Sequence, residues 1–184
     1  MNFLSSSFYQ RDTVIVAKDL MGKILVREYQ GLLLKGIITE TEAYRGQDDL
    51  ASHAYRGITK RNHAMFGPVG YAYIYFIYGT HFCLNVVARK ENQKAGAVLI
   101  RAIEPIENIE VMLKLRNKIE HAQLANGPGK LTQALAITRT HNDIDMKKQG
   151  ELYIINGDSK KPIKASKRIG ITKNIDKLWR FSFD

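Results

Sequence analysis

Two carboxylates stand two residues apart near the end of a predicted strand, residues 32–41. These are Glu40 and Glu42. Because successive side chains of a strand alternate between its faces, both acids are expected on one face together with Ile38, which is expected to face the core. A carboxylate drawn into such a protected place is suited to general-base chemistry. The alternative, a solvated strand end with two acids of no catalytic role, stays open on the spacing alone.

A cation interrupts a second apolar segment. Arg101 stands inside the predicted strand 97–103, where every other side chain is aliphatic. An arginine is costly to bury unless it meets an acid or lies beside a ligand. A structural ion pair and a role in a binding or catalytic site are both consistent with this position.

Tyrosines alternate along a third predicted strand. Tyr71, Tyr73 and Tyr75 are expected to form a ladder of rings on one face, and Tyr78 follows at the tip of a hairpin. Aromatic faces in a basic protein can stack against nucleic-acid bases, and a projecting ring can wedge into a base stack. An aromatic core face with one exposed tyrosine is the competing interpretation.

The charge balance favours a polyanionic partner. The 184 residues include 28 Lys and Arg against 18 Asp and Glu, which gives a net charge of +10. Residues 147–184 hold ten basic and four acidic side chains. Such a balance points to nucleic acid, although solubility conferred by surface lysines would produce the same composition.

Several protein classes are excluded by composition. The chain is 45% hydrophobic and 25% charged, which is typical of a globular protein and not of a disordered one. One cysteine, Cys83, rules out an internal disulfide. No apolar run approaches the roughly 20 residues of a membrane span, and the first residues do not resemble a secretory signal. We therefore expect a soluble, intracellular protein with no membrane attachment. The five histidines show no ligand spacing, so no metal site is expected.

The elements that must position these residues alternate irregularly between hairpins and helices. The patterns predict the following segments: a helix over 12–22, strands over 24–29 and 32–41, a short helix over 50–55 after Asp48 and Asp49, a hairpin over 71–77 and 81–88, a strand over 97–103 that stops at Glu104-Pro105, a helix over 107–120, a helix opening at Pro128, and short strands over 152–155, 168–171 and 178–183. This order predicts an α+β fold in one mixed domain, residues 1–184, with a curved, largely antiparallel sheet, a protruding β-hairpin and packed helices.

Several of these motifs, taken together and in order, resemble the alkyladenine DNA glycosylase family, also called 3-methyladenine DNA glycosylases. The matching segments are ETEAY (40–44), His53, RNHAMF (61–66), YIYFIYG (73–79), FCLN (82–85), LIRAIEP (99–105) and GPGKLTQAL (127–135). They cover most of the chain from about residue 12 onward, and the C-terminal part matches only loosely.

The resemblance implies a monofunctional enzyme of base excision repair that needs no metal or organic cofactor. Its expected substrate is double-stranded DNA containing damaged purines, such as 3-methyladenine, 7-methylguanine, hypoxanthine and ethenoadenine. The expected reaction flips the purine out of the duplex and hydrolyses its N-glycosidic bond, which leaves an abasic site. A monomer is expected, because searching along DNA requires no symmetry.

The resemblance also implies a role for individual residues. By their positions in the matching motifs, Glu42 is similar to the general base that activates water, and Arg101 is similar to a second group that holds that water. The walls of the flipped-base pocket are matched by Tyr44, His53 and Tyr75. Asn85 is similar to the residue that disfavours guanine, and Tyr78 is similar to the wedge that fills the vacated space in the duplex.

Two other functions are weighed against this one. A non-catalytic protein that binds distorted or single-stranded nucleic acid would use the same charge and tyrosines. Glu42 speaks against it, since a carboxylate near a phosphate backbone hinders simple binding. A small-molecule nucleoside hydrolase would need neither the net charge of +10 nor an exposed Tyr78.

Salt dependence separates the nucleoside hydrolase from the other two. We expect the logarithm of the binding constant for duplex DNA to fall linearly with the logarithm of salt concentration, by about 0.9 per phosphate contacted. Fluorescence anisotropy of a labelled duplex over a range of KCl concentrations measures this slope. An affinity that does not change with salt would favour the nucleoside hydrolase.

Overall fold

A computed structural model of the chain describes residues 2–77, 79–117, 120–159 and 161–184. Its regular elements, in chain order, are α1 (Ser6–Tyr9), α2 (Thr13–Asp19), β1 (Ile24–Tyr29), β2 (Leu32–Arg45), β3 (Ala72–Ile77), β4 (His81–Val87), β5 (Gly96–Glu107), α3 (Ile109–Leu115), α4 (Pro128–Ala134), β6 (Leu152–Ile155), β7 (Ile163–Ser166) and β8 (Arg180–Phe183). Short 3-10 turns lie at His63–Phe66, His121–Gln123 and Arg139–His141.

All eight strands belong to one sheet. Its order is β3-β4-β5-β2-β1-β6, with β8 paired to β2 and β7 paired to β8. Every one of these pairings is antiparallel. The long strand β2 occupies the centre, since it pairs with β5 on one side and with β1 and then β8 on the other. The predicted α+β class with a curved, largely antiparallel sheet is confirmed.

Helix α2 supports the central strand from the core face. Asp12 caps it by accepting a hydrogen bond from the Val14 amide at 2.9 Å, as the sequence pattern predicts. The Thr41 hydroxyl of β2 donates to the Ala17 carbonyl at 2.7 Å, and Leu20 is wholly buried in the same layer. The helix thereby holds β2 from one side, and the opposite face of the strand carries Glu40 and Glu42.

A β-bulge reverses the alternation expected along β2. Its pairing with β5 shifts register between Ile38 and Glu40 and again between Glu40 and Thr41. Ile38 and Ala43 therefore both face the main core, while Glu40 and Glu42 face the other side. The prediction that Ile38 shares a face with the two acids is wrong, because a bulge inserts a residue that simple alternation does not count.

Two element boundaries also differ from prediction. Strand β5 does not stop at Glu104 but continues through Pro105, which pairs with Gly36 beside another register shift. A bulge tolerates proline because the missing amide has no ladder partner to lose there. Helix α3 is shorter than the predicted 107–120 and begins after Asn108, which adopts a positive φ of 54°. Residues 118 and 119 lie outside the described part of the chain.

Two segments are irregular where regular structure was predicted. Residues 50–55 form turns and not a helix, because the Asp49 carboxylate accepts hydrogen bonds from the Arg45 and Ala51 amides and holds a turn instead. The predicted strand over 168–171 is also wrong. These residues lie beside a cavity, and the strand forms earlier, at β7.

No helix within the described ranges is long and apolar enough to cross a membrane.

The cap of α2 yields a prediction about stability. Asp12→Ala removes both the Val14 hydrogen bond and the ion pair with Arg45 at 2.5 Å, so we expect the free energy of unfolding to fall by about 1–2 kcal/mol. Asp12→Asn keeps a capping oxygen and should cost less. Urea denaturation at pH 7 measures both variants.

The same two variants have a pH signature. Burial opposes ionisation, but hydrogen bonds from Arg45 and Val14 hold the pKa of Asp12 below its ordinary value on balance. The stabilisation is therefore present above the ordinary pKa of about 3.9 and is lost as the pH falls through the lowered one. If Asp12→Ala and Asp12→Asn lower the free energy of unfolding equally, the ion pair with Arg45 and not the helix cap provides the stabilisation.

Candidate active site

The register of the antiparallel strands assembles a row of side chains on the face opposite the main core. Directly paired residues of antiparallel strands project to the same side of a sheet. Across β3, β4, β5, β2 and β8 the paired residues are Tyr73, Asn85, Leu99, Glu42 and Arg180. Residues that are far apart in the sequence are thus brought to one surface by backbone pairing alone.

A cavity of about 310 Å³ opens on this row. Five of the seven predicted site residues line it: Tyr44, His53, Tyr75, Asn85 and Arg101. Glu42 lies directly beneath it, and Tyr78 lies outside the described residues. Strands supply most of the floor, while the segment 51–65 and residues 169–171 supply walls.

The Glu42 carboxylate is wholly buried and is held by three donors. Its Oε2 accepts hydrogen bonds from Tyr44 Oη at 2.7 Å and from Arg101 Nη1 at 3.3 Å, and its Oε1 accepts one from the Ile169 amide at 2.7 Å. A buried charge is tolerated only when it is compensated in this way. The donors come from β2 itself, from β5 and from the segment that precedes β8.

Arg101 is oriented by a second acid. Its Nε donates to Glu40 Oε1 at 2.8 Å, while Arg180 Nε donates to the same oxygen at 2.6 Å. Burial works against the charge of Arg101, but Glu42 and Glu40 raise the pKa of this guanidinium on balance. Glu40 and Glu42 thus have different surroundings: Glu42 is enclosed beneath the cavity and Glu40 bridges two arginines.

Aromatic rings form one side of the cavity. The Tyr73 and Tyr75 rings lie 5.4 Å apart, and the His53 ring meets Tyr75 edge-on at 4.6 Å. Burial raises the pKa of Tyr44, Tyr73 and Tyr75, so all three remain protonated phenols. The predicted ladder is shorter than expected. Tyr71 precedes β3 and lies under the Lys147 ammonium, which is 4.3 Å from its ring centroid.

His53 is exposed at the cavity mouth but rests among these rings. Its Nδ1 lies 2.9 Å from Tyr73 Oη. Partial burial, helped by the positive charge of Arg61, lowers the pKa of His53, so the imidazole is neutral at neutral pH. The loop that carries it is held by buried Asn62, whose Nδ2 donates to the His53 carbonyl at 2.7 Å.

Asn85 is buried in the floor of the cavity. Its Nδ2 donates to the Tyr73 carbonyl at 3.0 Å, which fixes the amide between β3 and β4. Cys83, two residues earlier on the same strand, also lines the cavity, and burial raises the pKa of its thiol. Asn85 and Cys83 thus contribute an oriented amide and a protonated thiol to the floor.

Some residues of the site were not identified from the sequence. Arg61 lies 5.5 Å from the Tyr75 ring centroid and lines the cavity, and its only signal was its place in the RNHAMF motif. The Ile169 amide and its neighbours Gly170 and Ile171 gave no signal. A backbone donor has no residue-type signature, and the C-terminal part of the chain matched the family only loosely.

The arrangement can do one kind of chemistry well. A carboxylate and a guanidinium lie together beneath an aromatic-walled cavity, which suits a pocket that holds a flat base beside an activated water. Among the residues that the structure describes, no group of three His, Cys, Asp or Glu side chains is placed to hold a metal ion.

Comparison with known proteins identifies the family. The model of the family described as "Methylpurine-DNA glycosylase (MPG)" matches residues 7–184. A relative in Carboxydothermus hydrogenoformans is 50% identical over 97% of this chain and 93% of its own length. Relatives in Clostridium acetobutylicum and Methanocella arvoryzae are each 48% identical, over 97% and 98% of this chain and 92% of their own lengths. All three are provisionally named 3-methyladenine DNA glycosylases.

A match over nearly the whole chain agrees with the motifs and with the site that the sheet assembles. The chain belongs to the methylpurine-DNA glycosylase family and is a DNA glycosylase, a repair hydrolase that cleaves N-glycosidic bonds.

Proposed function

We propose that this protein flips alkylated or deaminated purines out of duplex DNA into the cavity and excises them with a water activated by Glu42. The expected lesions are 3-methyladenine, 7-methylguanine, hypoxanthine and ethenoadenine. The observation that carries the proposal is the hydrogen-bonded cluster of Glu42, Arg101 and Tyr44 beneath the aromatic cavity. No cofactor enters the proposed reaction.

The cavity has the size and walls that one base requires. Its volume of about 310 Å³ is at the lower end of the roughly 300–1,000 Å³ typical of small-ligand pockets. Tyr44, His53 and Tyr75 offer flat surfaces, and an alkylated base that carries positive charge is attracted to aromatic faces. Asn85 is proposed to disfavour guanine by crowding its exocyclic amine.

The carboxylate of Glu42 can accept one more hydrogen bond than the three that the described residues donate to it. An ionised carboxylate offers about four lone-pair positions. Among the described residues, Tyr44 and Arg101 use two positions on Oε2 and the Ile169 amide uses one on Oε1, so one position on Oε1 is proposed to accept the attacking water. Arg101, which lines the cavity, is proposed to hold the same water.

The proposed reaction is a hydrolysis at the sugar carbon. The water oxygen bonds to that carbon, a water proton passes to Glu42, and the electron pair of the N-glycosidic bond leaves with the purine. The sugar becomes cation-like in the transition state, and the negative charge of Glu42 stabilises it. A damaged or mispaired purine also costs less to unstack, which supplies part of the selectivity.

DNA is held, in this proposal, by charge and by the hairpin between β3 and β4. The net charge of +10 favours the phosphate backbone without reading sequence. Tyr78, which lies outside the described residues and falls between β3 and β4 in the sequence, is proposed as the wedge on the strength of the family resemblance. We propose a monomer that acts on DNA in the cytoplasm.

The role of Glu42 is tested by Glu42→Gln. We expect the single-turnover rate of hypoxanthine excision, opposite thymine in a duplex, to fall by at least about a hundredfold, because an amide cannot accept the water proton. Binding of the lesion duplex should persist. Arg101 keeps its contact with Glu40, so the fold should remain intact. Alkaline cleavage of the abasic product measures the rate.

Glu107→Gln is the matched control. Glu107 is also a strand glutamate paired with a cation, Lys35 at 2.7 Å, but it lies at the far end of β5 on the surface. It should excise at the native rate. Retained excision by Glu42→Gln would reject the general-base role. Absence of excision by the native protein on hypoxanthine, ethenoadenine and 3-methyladenine alike would reject the proposed substrates.

The neutral state of His53 predicts a pH effect that depends on lesion charge. Because the pKa of His53 is lowered, its imidazole gains a proton only below the ordinary value of about 6.5. A protonated His53 would repel a cationic base. We therefore expect the excision of 7-methylguanine, relative to that of neutral hypoxanthine, to fall as the pH drops below that point.

The ratio of the two rates isolates His53 from other titrating groups. Protonation of a shared catalytic group lowers both rates and cancels in the ratio. In His53→Gln the ratio should no longer depend on pH over the same range. A ratio that falls identically in the native protein and in this variant would contradict the assignment.

A further inference from the structure

We infer that Asp49 and Arg168 form a positioning pair that fixes the orientation of the Glu42 carboxylate. The inference rests on the proposed function of that carboxylate. Arg168 Nη1 and Nη2 donate to Asp49 Oδ2 and Oδ1 at 2.6 and 2.8 Å, so the two planar groups meet as a two-pronged fork. Both side chains are wholly buried.

Arg168 is also fixed to the strand that carries Glu42. Its Nη1 donates to the Ala43 carbonyl at 2.8 Å. Its guanidinium lies 4.7 Å from the Tyr44 ring centroid and 5.1 Å from that of Trp179. Arg168 is therefore held by Asp49, by the backbone of β2 and by contact with two aromatic rings.

Ile169, the residue after Arg168, links this ion pair to the Glu42 carboxylate. The Ile169 amide donates to Glu42 Oε1, the oxygen with the free lone-pair position. Since Ile169 is bonded to Arg168, an Arg168 that is held in place also holds this donor in place. A shift of the donor would rotate the carboxylate away from the water.

Asp49 extends the same constraint to a second wall. Its Oδ2 accepts from the Arg45 amide at 3.2 Å and its Oδ1 from the Ala51 amide at 3.1 Å. Ala51 and Ile169 both line the cavity, so the ion pair ties together two walls that are far apart in sequence.

Stability alone does not explain a pair of this kind. Buried ion pairs are frequently replaceable by apolar side chains without loss, because desolvating two charges cancels much of their attraction. In the described part of the chain Arg168 Nε is buried without a hydrogen-bond partner, a further cost. A two-pronged arginine–carboxylate pair fixes the relative orientation of its two side chains, and an apolar contact does not.

The test compares Arg168→Lys and Asp49→Asn with the native protein. Lysine keeps the charge but cannot form the fork. We expect each variant to lower the single-turnover excision rate between about tenfold and a hundredfold, the range that small misplacements of reacting groups produce. The dissociation constant for lesion DNA should stay within about twofold of native, because neither side chain reaches the cavity.

A control and a double variant make the test specific. Arg27→Lys changes a buried arginine that also pairs with an acid, Glu151, and lies 5.9 Å from the Tyr29 ring, but it stands on β1, away from the cavity. It should excise at the native rate. The double variant Asp49→Asn/Arg168→Lys should be no slower than the worse single variant, since the two residues act as a unit. Fluorescence of Trp179, the only tryptophan, checks the fold around the pair.

The outcomes separate the two proposals. Native excision with an unchanged rate in both single variants would overturn the positioning pair and leave the proposed function standing. Equal loss of binding and rate, or loss of the folded state in both variants, would assign the pair to stability and also overturn it. Lack of excision by the native protein would overturn the proposed function itself, and the positioning role with it.

Discussion

A buried negative charge needs hydrogen-bond donors to replace its lost hydration, and the Glu42 carboxylate is such a charge. Its three donors come from the same strand, from the neighbouring strand β5 and from a late irregular segment. Each donor is positioned by a different feature. Tyr44 shares a strand face with Glu42 through the alternation of β2, and Arg101 is held by the second acid, Glu40. The Ile169 amide is held by the buried ion pair of the preceding residue, Arg168. Helix α2 holds β2 from behind. Much of the architecture therefore follows from the solvation of one group.

Charge is arranged differently near this group and over the molecule as a whole. Around the cavity the acids Glu40, Glu42 and Asp49 are paired with Arg101, Arg168 and Arg180, and Arg61 adds one positive charge at the cavity wall. The chain as a whole carries +10. Most of the charge near the cavity is thus compensated locally, and the excess that attracts a polyanion at long range lies elsewhere on the chain.

Strand alternation is a local rule, and it predicts most of the strands and singles out Arg101 and Tyr75. The other three predicted residues that line the cavity, Tyr44, His53 and Asn85, are named only by the family resemblance. Prediction fails where distant contacts decide. The bulge beside Glu40 moves Ile38 to the other face, and the Asp49 carboxylate holds a turn where a helix is predicted. Arg168 and the Ile169 amide are bonded to Asp49 and Glu42, which lie more than a hundred residues earlier in the chain. No local pattern carries that information.

The late position of the segment 168–171 also has a consequence for how the enzyme is made. A ribosome delivers β1 to β5, and with them Glu42 and Arg101, well before it delivers Arg168 and Ile169. The nascent chain can therefore pair its central strands while the carboxylate still lies open to water on one side. The contacts from Ile169 and Arg180 cannot form until the end of the chain has been made. The site is thus completed together with the last strands of the sheet, since β8 pairs with β2 at Glu42 itself.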